Sequence, residues 1–318
     1  MKKLLIASTA LVATASVAAA DVTFGGYGRF GLIYQENDGT TGVDETRLEN
    51  RFRLDIRGTT ESDGGVEFTA RVRIESNDTG DGQVGASNVE APEFGVSAGG
   101  FSLFVGDTSD VLDSGDIVDF YGDAASLTAA FAELSSGFSF DNFPASGFGN
   151  PGPRDPVVKA DYRVGAFTIA ASYQHNARDD AREEYMIGAR YDISDAIGVG
   201  LVYGDQNDGA TIDSDFWALG VDGSFGAFGY DVLIADSSAA SQDDVAMALG
   251  LNYAVSSATS IRFVVSDNGL ADTATVNQTT AYAIGFRHSL GGGVQLGGGV
   301  GVDSSDNTVA DLGVQFNF

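Results

Sequence analysis

Apolar and polar residues alternate at every second position along much of the chain. In the segment RLENRFRLDIRG, residues 47–58, the apolar residues alternate with four arginines, Arg47, Arg51, Arg53 and Arg57. A period of two is typical of a β-strand whose two faces meet different surroundings. In a soluble sheet the apolar face would pack on a core. In a membrane barrel it would face lipid, and the charged face would line a water-filled lumen.

Alternation of this kind predicts sixteen strands, each close to the ~10 residues that a tilted membrane strand needs. The strands predicted at 93–99 and 101–107 are the shortest. All sixteen lie at about 22–35, 47–58, 66–76, 93–99, 101–107, 156–163, 166–175, 183–194, 196–204, 214–225, 227–236, 243–254, 258–267, 279–290, 292–302 and 308–318.

The connections between the predicted strands alternate between short and long. Tight turns such as Gly99-Gly100 and Gly291-Gly292 alternate with long polar loops such as 36–46, 76–92 and 268–278. Short turns at one end and long loops at the other are typical of an outer-membrane barrel, and a soluble sandwich has no reason to separate them. We therefore expect an all-β fold, a sixteen-stranded antiparallel transmembrane β-barrel formed by residues 21–318 as a single domain.

The N-terminal segment, residues 1–20, has the pattern of a secretory signal peptide. Lys2 and Lys3 precede an apolar stretch, which ends in a run of alanines. We expect removal of this segment by cleavage before Asp21, and export from the cytoplasm of a Gram-negative bacterium. No later stretch approaches the ~20 consecutive apolar residues of a spanning helix. A mature chain in a membrane must then be a closed barrel, because open sheet edges cannot lie in lipid.

The charge of the chain excludes one class of partner. Removing Lys2 and Lys3 from the 17 basic residues leaves 15 against 45 acidic residues, a net charge of about −30. Such a chain will not bind the phosphates of a nucleic acid by charge. Cysteine is absent, which excludes disulfides and thiolate metal sites.

One connection, at about 107–155, is much longer than any other. A connection of this length is normally functional or disordered, and Leu127, Phe131 and Leu134 within it have helical spacing. Its first part has an aspartate at every third position. The acidic residues that we assign to this loop are Asp107, Asp110, Asp113, Asp116, Asp119 and Glu133.

Arginines on the first three predicted strands share the polar face of their strands. Neighbouring strands lie ~4.8 Å apart, so these side chains would form one compact basic patch. Facing lipid, each would cost ~2–4 kcal/mol, whereas a wet lumen with acids opposite would accommodate them. We therefore expect a pore constriction with a basic wall and the acidic loop opposite; the alternative is a solvated strand face and an ordinary acidic surface loop. The wall residues are Arg29, Arg51, Arg53, Arg71 and Arg73.

Three segments carry a family resemblance, and it extends over the whole mature chain. They are DVTFGGYGRFGLIY at 21–34, RGTTESDGGVEF at 57–68, and LGGGVQLGGGV at 290–300 followed by NTVADLGVQFNF at 307–318. The sequence resembles the Gram-negative general diffusion porins, closest to the alphaproteobacterial (Rhodobacter-type) group. The resemblance implies a sixteen-stranded barrel, a homotrimer and a third loop folded into the lumen. It also implies that the outer-membrane assembly machinery recognises the terminal Phe318.

The expected function is passive diffusion of small hydrophilic solutes and ions through the outer membrane. The acidic loops should concentrate cations at the mouth, so we expect weak cation selectivity. A substrate-specific channel for sugars or an anion is the main alternative, and an adhesin or an outer-membrane barrel enzyme are others. The segment GVSAG, 95–99, matches a nucleophile elbow, but a strand rather than the required helix is predicted after it.

The acidic loops raise the question of divalent cations. Loop carboxylates could bridge Ca²⁺ or Mg²⁺ to the phosphates of lipopolysaccharide in the outer leaflet, although solvated surface charge is the simpler interpretation. The segment DQNDG, 205–209, lacks the spacing of a calcium-binding loop. No cofactor is expected, and the sequence identifies no metal ligand.

Overall fold

The structure is a computed structural model that describes residues 21–36, 44–78, 84–118, 156–175, 183–194, 196–207, 213–272 and 280–318. No helix in these ranges is long and apolar enough to cross a membrane. The signal peptide expected at 1–20 lies outside them and stays a prediction. The described residues form seventeen strand segments of one sheet: β1 (Asp21–Gln35), β2 (Thr46–Glu61), β3 (Glu67–Asp78), β4 (Val84–Val89), β5 (Glu93–Ala98), β6 (Phe101–Gly106), β7 (Val157–Val164), β8 (Phe167–His175), β9 (Glu183–Ser194), β10 (Ile197–Asn207), β11 (Asp213–Phe225), β12 (Phe228–Ser237), β13 (Ala246–Ala254), β14 (Thr259–Asp267), β15 (Ala281–Gly291), β16 (Val294–Val302) and β17 (Thr308–Asn317).

The sheet closes on itself as an antiparallel barrel of sixteen positions. Each strand pairs with its neighbours in sequence, and β17 pairs with β1 to close the ring. The segments β4 and β5 share one position, because β4 pairs with residues 74–78 of β3 and β5 with residues 67–71. The predicted sixteen-stranded barrel is confirmed, and the sixteen predicted strands all appear, with ends within about three residues of those expected.

The segment β4 corrects one expectation, since residues 76–92 were expected to form a loop. Its sequence, VGASNV, places small and polar residues between two valines and has no clean alternation. Pro92 separates it from β5, and proline cannot donate a hydrogen bond to a sheet ladder. Half of one barrel strand is therefore too polar and too short to be identified from its pattern.

The two faces of the strands differ as lipid and lumen require. On β1 and β2 the apolar side chains point outward; Phe30 is 56% exposed and Leu48 is 63% exposed on the isolated chain. Arg29 and Arg51 lie on the other face, opposite each other in the register of β1 and β2, and both are buried. The alternation in the sequence therefore separates a lipid face from a lumen face.

The C-terminal residue takes part in closing the barrel. The backbone N–H of Gly26 donates to the oxygen of Phe318 at 3.1 Å, and the N–H of Phe318 donates to Gly26 at 3.0 Å. On the lipid face, the ring of Phe318 stacks on Phe52 with 5.8 Å between ring centroids. Gly28 leaves room for the neighbouring ring of Phe316, which a Cβ at this position would overlap. These contacts join β1, β2 and β17 at the closing strand pair.

The connections at one end of the barrel are tight turns, as predicted. In the turn between β5 and β6, Gly99 and Gly100 have φ angles of 57° and 87°, in the left-handed region that glycine favours. The segments at the other end, such as 238–245 and 303–307, are longer. This asymmetry defines a turn end and a loop end of the barrel, which correspond to the periplasmic and extracellular sides of an outer-membrane barrel.

Candidate functional site

The first part of the third loop, residues 107–118, folds into the barrel. Its four apolar side chains, Val111, Leu112, Ile117 and Val118, are at most 1% exposed. They form one cluster with residues on the inner faces of β8–β13, on the wall opposite β1. The wall residues of the cluster are Ala170, Met186, Val202, Phe216, Ala218, Leu233, Ala235, Ala246 and Ala248. The loop therefore fills one side of the lumen, as predicted; residues 119–155 lie outside the described part of the chain.

Three glycines on the wall make room for the loop. A Cβ at Gly188 would lie 3.0 Å from side-chain carbons of Val111 and Ile117, and one at Gly220 would lie 2.8 Å from Val118. At Gly200 it would overlap the backbone oxygen of Ile117. Because carbon atoms pack at ~3.5–4.0 Å, a side chain at any of these positions would displace the loop.

Polar contacts fix the same segment to β7 and β8. The carboxylate of Asp116 binds the Nζ of Lys159 at 2.8 Å and a guanidinium nitrogen of Arg163 at 2.7 Å. The N–H of Val111 donates to the hydroxyl of Ser172 at 3.2 Å. Lys159 is 5% exposed and is the only lysine after Lys3. The loop is therefore held by an ion-pair cluster as well as by its apolar contacts.

Asp110 lies at the start of this inward segment and is buried. Burial raises the pKa of its carboxyl group, although backbone N–H groups of Leu112 and Asp113 donate hydrogen bonds to it and lower the pKa. The bond from Asp113 measures 2.8 Å. The side chain of Asp110 thus fixes the turn of the loop rather than facing the pore.

The five arginines expected to form the basic wall lie together on β1–β3, and their carboxylate partners belong to the same wall. Five acids, three of them on β2 and β3, neutralise the five arginines. The side chains of Arg29 and Arg51 are less than 10% exposed, whereas those of Arg53, Arg71 and Arg73 are each about 20% exposed. The ion pairs are Arg29–Glu49 at 2.8 Å, Arg51–Glu75 at 3.7 Å, Arg53–Glu75, Arg71–Glu93 at 3.0 Å, and Arg73 with Asp55 at 3.2 Å and with Glu90 at 3.4 Å.

Comparison with known proteins identifies the family of this barrel. A family model described as Gram-negative porin matches residues 7–308. The chain belongs to the Gram-negative porin family. A porin of Fuscovulum blasticum is 30% identical over 312 residues, which cover 94% of this chain and 100% of the relative. A porin of Rhodobacter capsulatus is 26% identical over 330 residues, with the same coverage of 94% and 100%.

Solved porin structures agree with the fold. A triple mutant of the Rhodopseudomonas blastica porin superposes with a TM-score of 0.74 at 28% sequence identity, covering 94% of this chain and 100% of that one. Membership of the family places this porin in the outer membrane, where its barrel forms a diffusion pore. The lumen between the basic wall and the third loop is therefore the candidate functional site.

The acidic residues expected on the constriction loop of this porin lie in different surroundings and have different partners. Asp116 binds Lys159 and Arg163, Asp110 is buried, and Asp113 is exposed. Asp107 contributes its backbone oxygen, which accepts a bond from Arg71 at 3.3 Å. Two others, Asp119 and Glu133, lie outside the described residues. The structure thus brings the five arginines together but pairs them along the wall, and their role as a constriction stays a prediction.

Two of the residues that the sequence analysis missed could have been found from the sequence, and a third could not. Glu49 and Asp55 share the phase of Arg51 and Arg53 in the segment that first showed the alternation. A search for charge pairs at facing and diagonal positions of neighbouring strands would have found them, since Asp55 faces Arg73 and Glu49 lies diagonal to Arg29. Lys159 had no comparable signal, because its partner Asp116 is 43 residues away in sequence.

The expectation of bound Ca²⁺ stays a prediction. Within the described ranges, no group of three or more histidine, cysteine, aspartate or glutamate side chains is arranged to hold a metal ion. Part of the loop sequence lies outside those ranges. The first four residues of the segment GVSAG lie in β5, and its last, Gly99, begins the glycine turn that leads to the strand β6.

Proposed function

We propose that this porin lets small hydrophilic solutes and ions diffuse passively through a lumen that the third loop narrows, with weak cation selectivity. The observation that carries the proposal is the unequal lining of the lumen. On one side, apolar loop residues pack on β8–β13 and exclude water. On the other side, charged side chains of β1–β3 remain partly exposed. At the height of the loop, solutes would pass along this charged side.

The proposed constriction lies between the loop and the basic wall. Arg53, Arg71 and Arg73 supply its exposed positive charges, and Arg29 and Arg51 support them from a buried position. The carboxylates that stand beside them form an alternating surface of both signs. Such a surface orders water and disfavours apolar solutes without holding a particular ion.

Weak cation selectivity follows from the charge balance. The five wall arginines are matched by five wall carboxylates, so the basic wall has little net charge to attract anions. The whole chain is strongly acidic, with 45 acidic against 17 basic residues, and setting aside the five matched pairs leaves this excess unchanged. An acidic mouth concentrates cations, and salt reduces this effect beyond ~10 Å at 0.1 M.

We further propose a homotrimer in the outer membrane, with all three pores parallel. Closed cyclic symmetry is what a planar membrane permits for identical barrels. The broad apolar outer face supports association with lipid, and the acidic loops support contact with lipopolysaccharide through divalent cations such as Ca²⁺. The position of Phe318 at the closing strand pair agrees with a role in assembly.

Solute flux into liposomes tests the proposed function. We expect entry rates of neutral hydrophilic solutes to fall smoothly with molecular size and to rise in proportion to concentration, because a wet pore without a tight site does not saturate. Protein-free liposomes are the control. Flux that saturates at low concentration for one solute and excludes others of equal size would instead support a substrate-specific channel.

A further inference from the structure

A cavity of about 510 Å³ lies inside the barrel near its turn end. Its lining comes from the inner faces of β9–β14, close to Ala196 and to the turn at 226–227. The volume falls within the ~300–1,000 Å³ that is typical of small-molecule sites. A second cavity of about 600 Å³ at the same end includes Asp116 and Arg163 and belongs to the attachment of the third loop.

The first cavity is built around a fixed guanidinium group. Arg190 donates from Nε to Asp192 at 2.8 Å and from Nη2 to Asp222 at 2.9 Å, and its Nη1 donates to the other oxygen of Asp222. Gly198 makes room for this group, because a Cβ there would overlap it. Arginine has five N–H donors, and these bonds use three of them. The guanidinium is therefore held flat with donor capacity left for a solute.

Acceptor groups line the same cavity. The Oδ1 atom of Asn252 is buried and accepts no hydrogen bond from any described residue. A buried amide oxygen without a donor is unfavourable, so a ligand that donates to it is stabilised. Gly229 lies beside Asn252 on the cavity wall, and a Cβ there would make only ordinary van der Waals contact, 3.6 Å from the Cβ of Asn252.

The charges around the cavity indicate what kind of solute it suits. Two arginines, Arg190 and Arg262, face three aspartates, Asp192, Asp222 and Asp231. Charges of both signs so close together leave no strong field for an anion or a cation. A hydroxyl group both donates and accepts, and can therefore satisfy carboxylate, guanidinium and amide groups at once.

We infer that this cavity is a weak binding site for a neutral polyhydroxylated solute of the size of a sugar, occupied during passage through the pore. The inference rests on the proposed function and deepens it, because it names the class of solute that pauses in the lumen. A weak site of this kind is compatible with diffusion, since the solute must also leave.

Ion current through single channels in a planar bilayer tests the inference, with sucrose as the probe. Poly(ethylene glycol) of equal hydrodynamic size is the reference solute, because it lacks the array of hydroxyl groups. After correction for bulk conductivity, we expect sucrose to lower the conductance more than the polymer does, and to saturate. The variant Gly229→Val, which fills the cavity, should lose this excess. The matched control Gly25→Val should keep it.

Gly25 is a suitable control because it lies on the inner face of β1, on the wall opposite the cavity. A Cβ there would have only one atom within 4 Å. If Gly229→Val forms no channels, Asn252→Ala replaces it and should weaken the sucrose effect several-fold. The inference would be overturned if sucrose and the polymer lowered the conductance of the wild type equally. It would also be overturned if the sucrose effect still saturated fully in the cavity variants. Failure of the proposed function is distinct, because the wild type would then conduct no ions, or would pass one solute and exclude others of equal size.

Discussion

Replacing Arg51, Arg53, Arg71 and Arg73 by alanine is expected to make the pore strongly cation-selective. Each of these arginines has a wall carboxylate beside it, so their removal leaves Glu75, Glu93, Asp55 and Glu90 without their main counter-charge. A unit charge 4 Å from an ion in water is worth ~1 kcal/mol, or about a factor of five in local ion concentration. We therefore expect the cation-to-anion permeability ratio to rise by about fivefold or more.

The reversal potential across a salt gradient measures this ratio directly. The matched control replaces carboxylates instead, as Glu75→Gln with Glu93→Gln, and should shift the reversal potential toward anions. Both shifts should be larger at low salt, because screening weakens with ionic strength. An unchanged reversal potential in a conducting four-arginine variant would show that these side chains do not border the ion path.

The variant Asp116→Asn is expected to loosen the third loop and to shift selectivity toward anions. Removing one partner of a buried ion pair costs ~3–5 kcal/mol. Since the side chain of Asp116 is 29% exposed, we expect a loss of stability smaller than that of a fully buried pair, ~1–3 kcal/mol. Lys159 and Arg163 would then lack their counter-charge, and open-channel current noise should increase as the loop moves more.

Thermal denaturation in detergent and single-channel recording measure these two effects. The matched control is Asp113→Asn, which removes the same charge from an exposed position on the same loop. It should leave both the denaturation temperature and the current noise near those of the wild type. Equal behaviour of the two variants would contradict the proposed role of Asp116 as the anchor of the loop.

The barrel could be predicted from the sequence because its strands and turns are set by local sequence patterns. Period-two alternation and glycine turns are set by neighbouring residues, and they correctly located all sixteen predicted strands. The segment β4 was missed because its sequence, VGASNV, has no alternation, and it extends a strand whose regular part begins after Pro92. The basic wall was also predictable, since strand phase alone places Arg51 and Arg53 on one face.

The partners of the wall and of the loop depend on register and on long-range packing. The contact of Arg71 with Glu93 depends on the register of β3 and β5, which the sequence pattern does not specify. Asp116 reaches β7 across 43 residues. The apolar inner face of β8–β13 was not anticipated, because a lumen face was expected to be polar. Val202 and Ala218 lie on the inner face and pack against the loop, so the strands there are apolar on both faces.

The position of the third loop is the central claim, and a double-cysteine variant tests it most directly. The chain contains no cysteine, so an introduced pair has no competitor. A Cβ at position 220 would lie 3.4 Å from the Cβ of Val118, close to the ~3.5–4.5 Å between the Cβ atoms of a disulfide.

We predict that Val118→Cys with Gly220→Cys forms an intramolecular disulfide on oxidation, and that the oxidised channel conducts as well as the reduced one. The control pair, Val118→Cys with Gly25→Cys on the opposite wall, should form none. A free thiol pair at 118 and 220 under the same oxidation, or equal cross-linking in the control, would contradict the placement of the loop against β11.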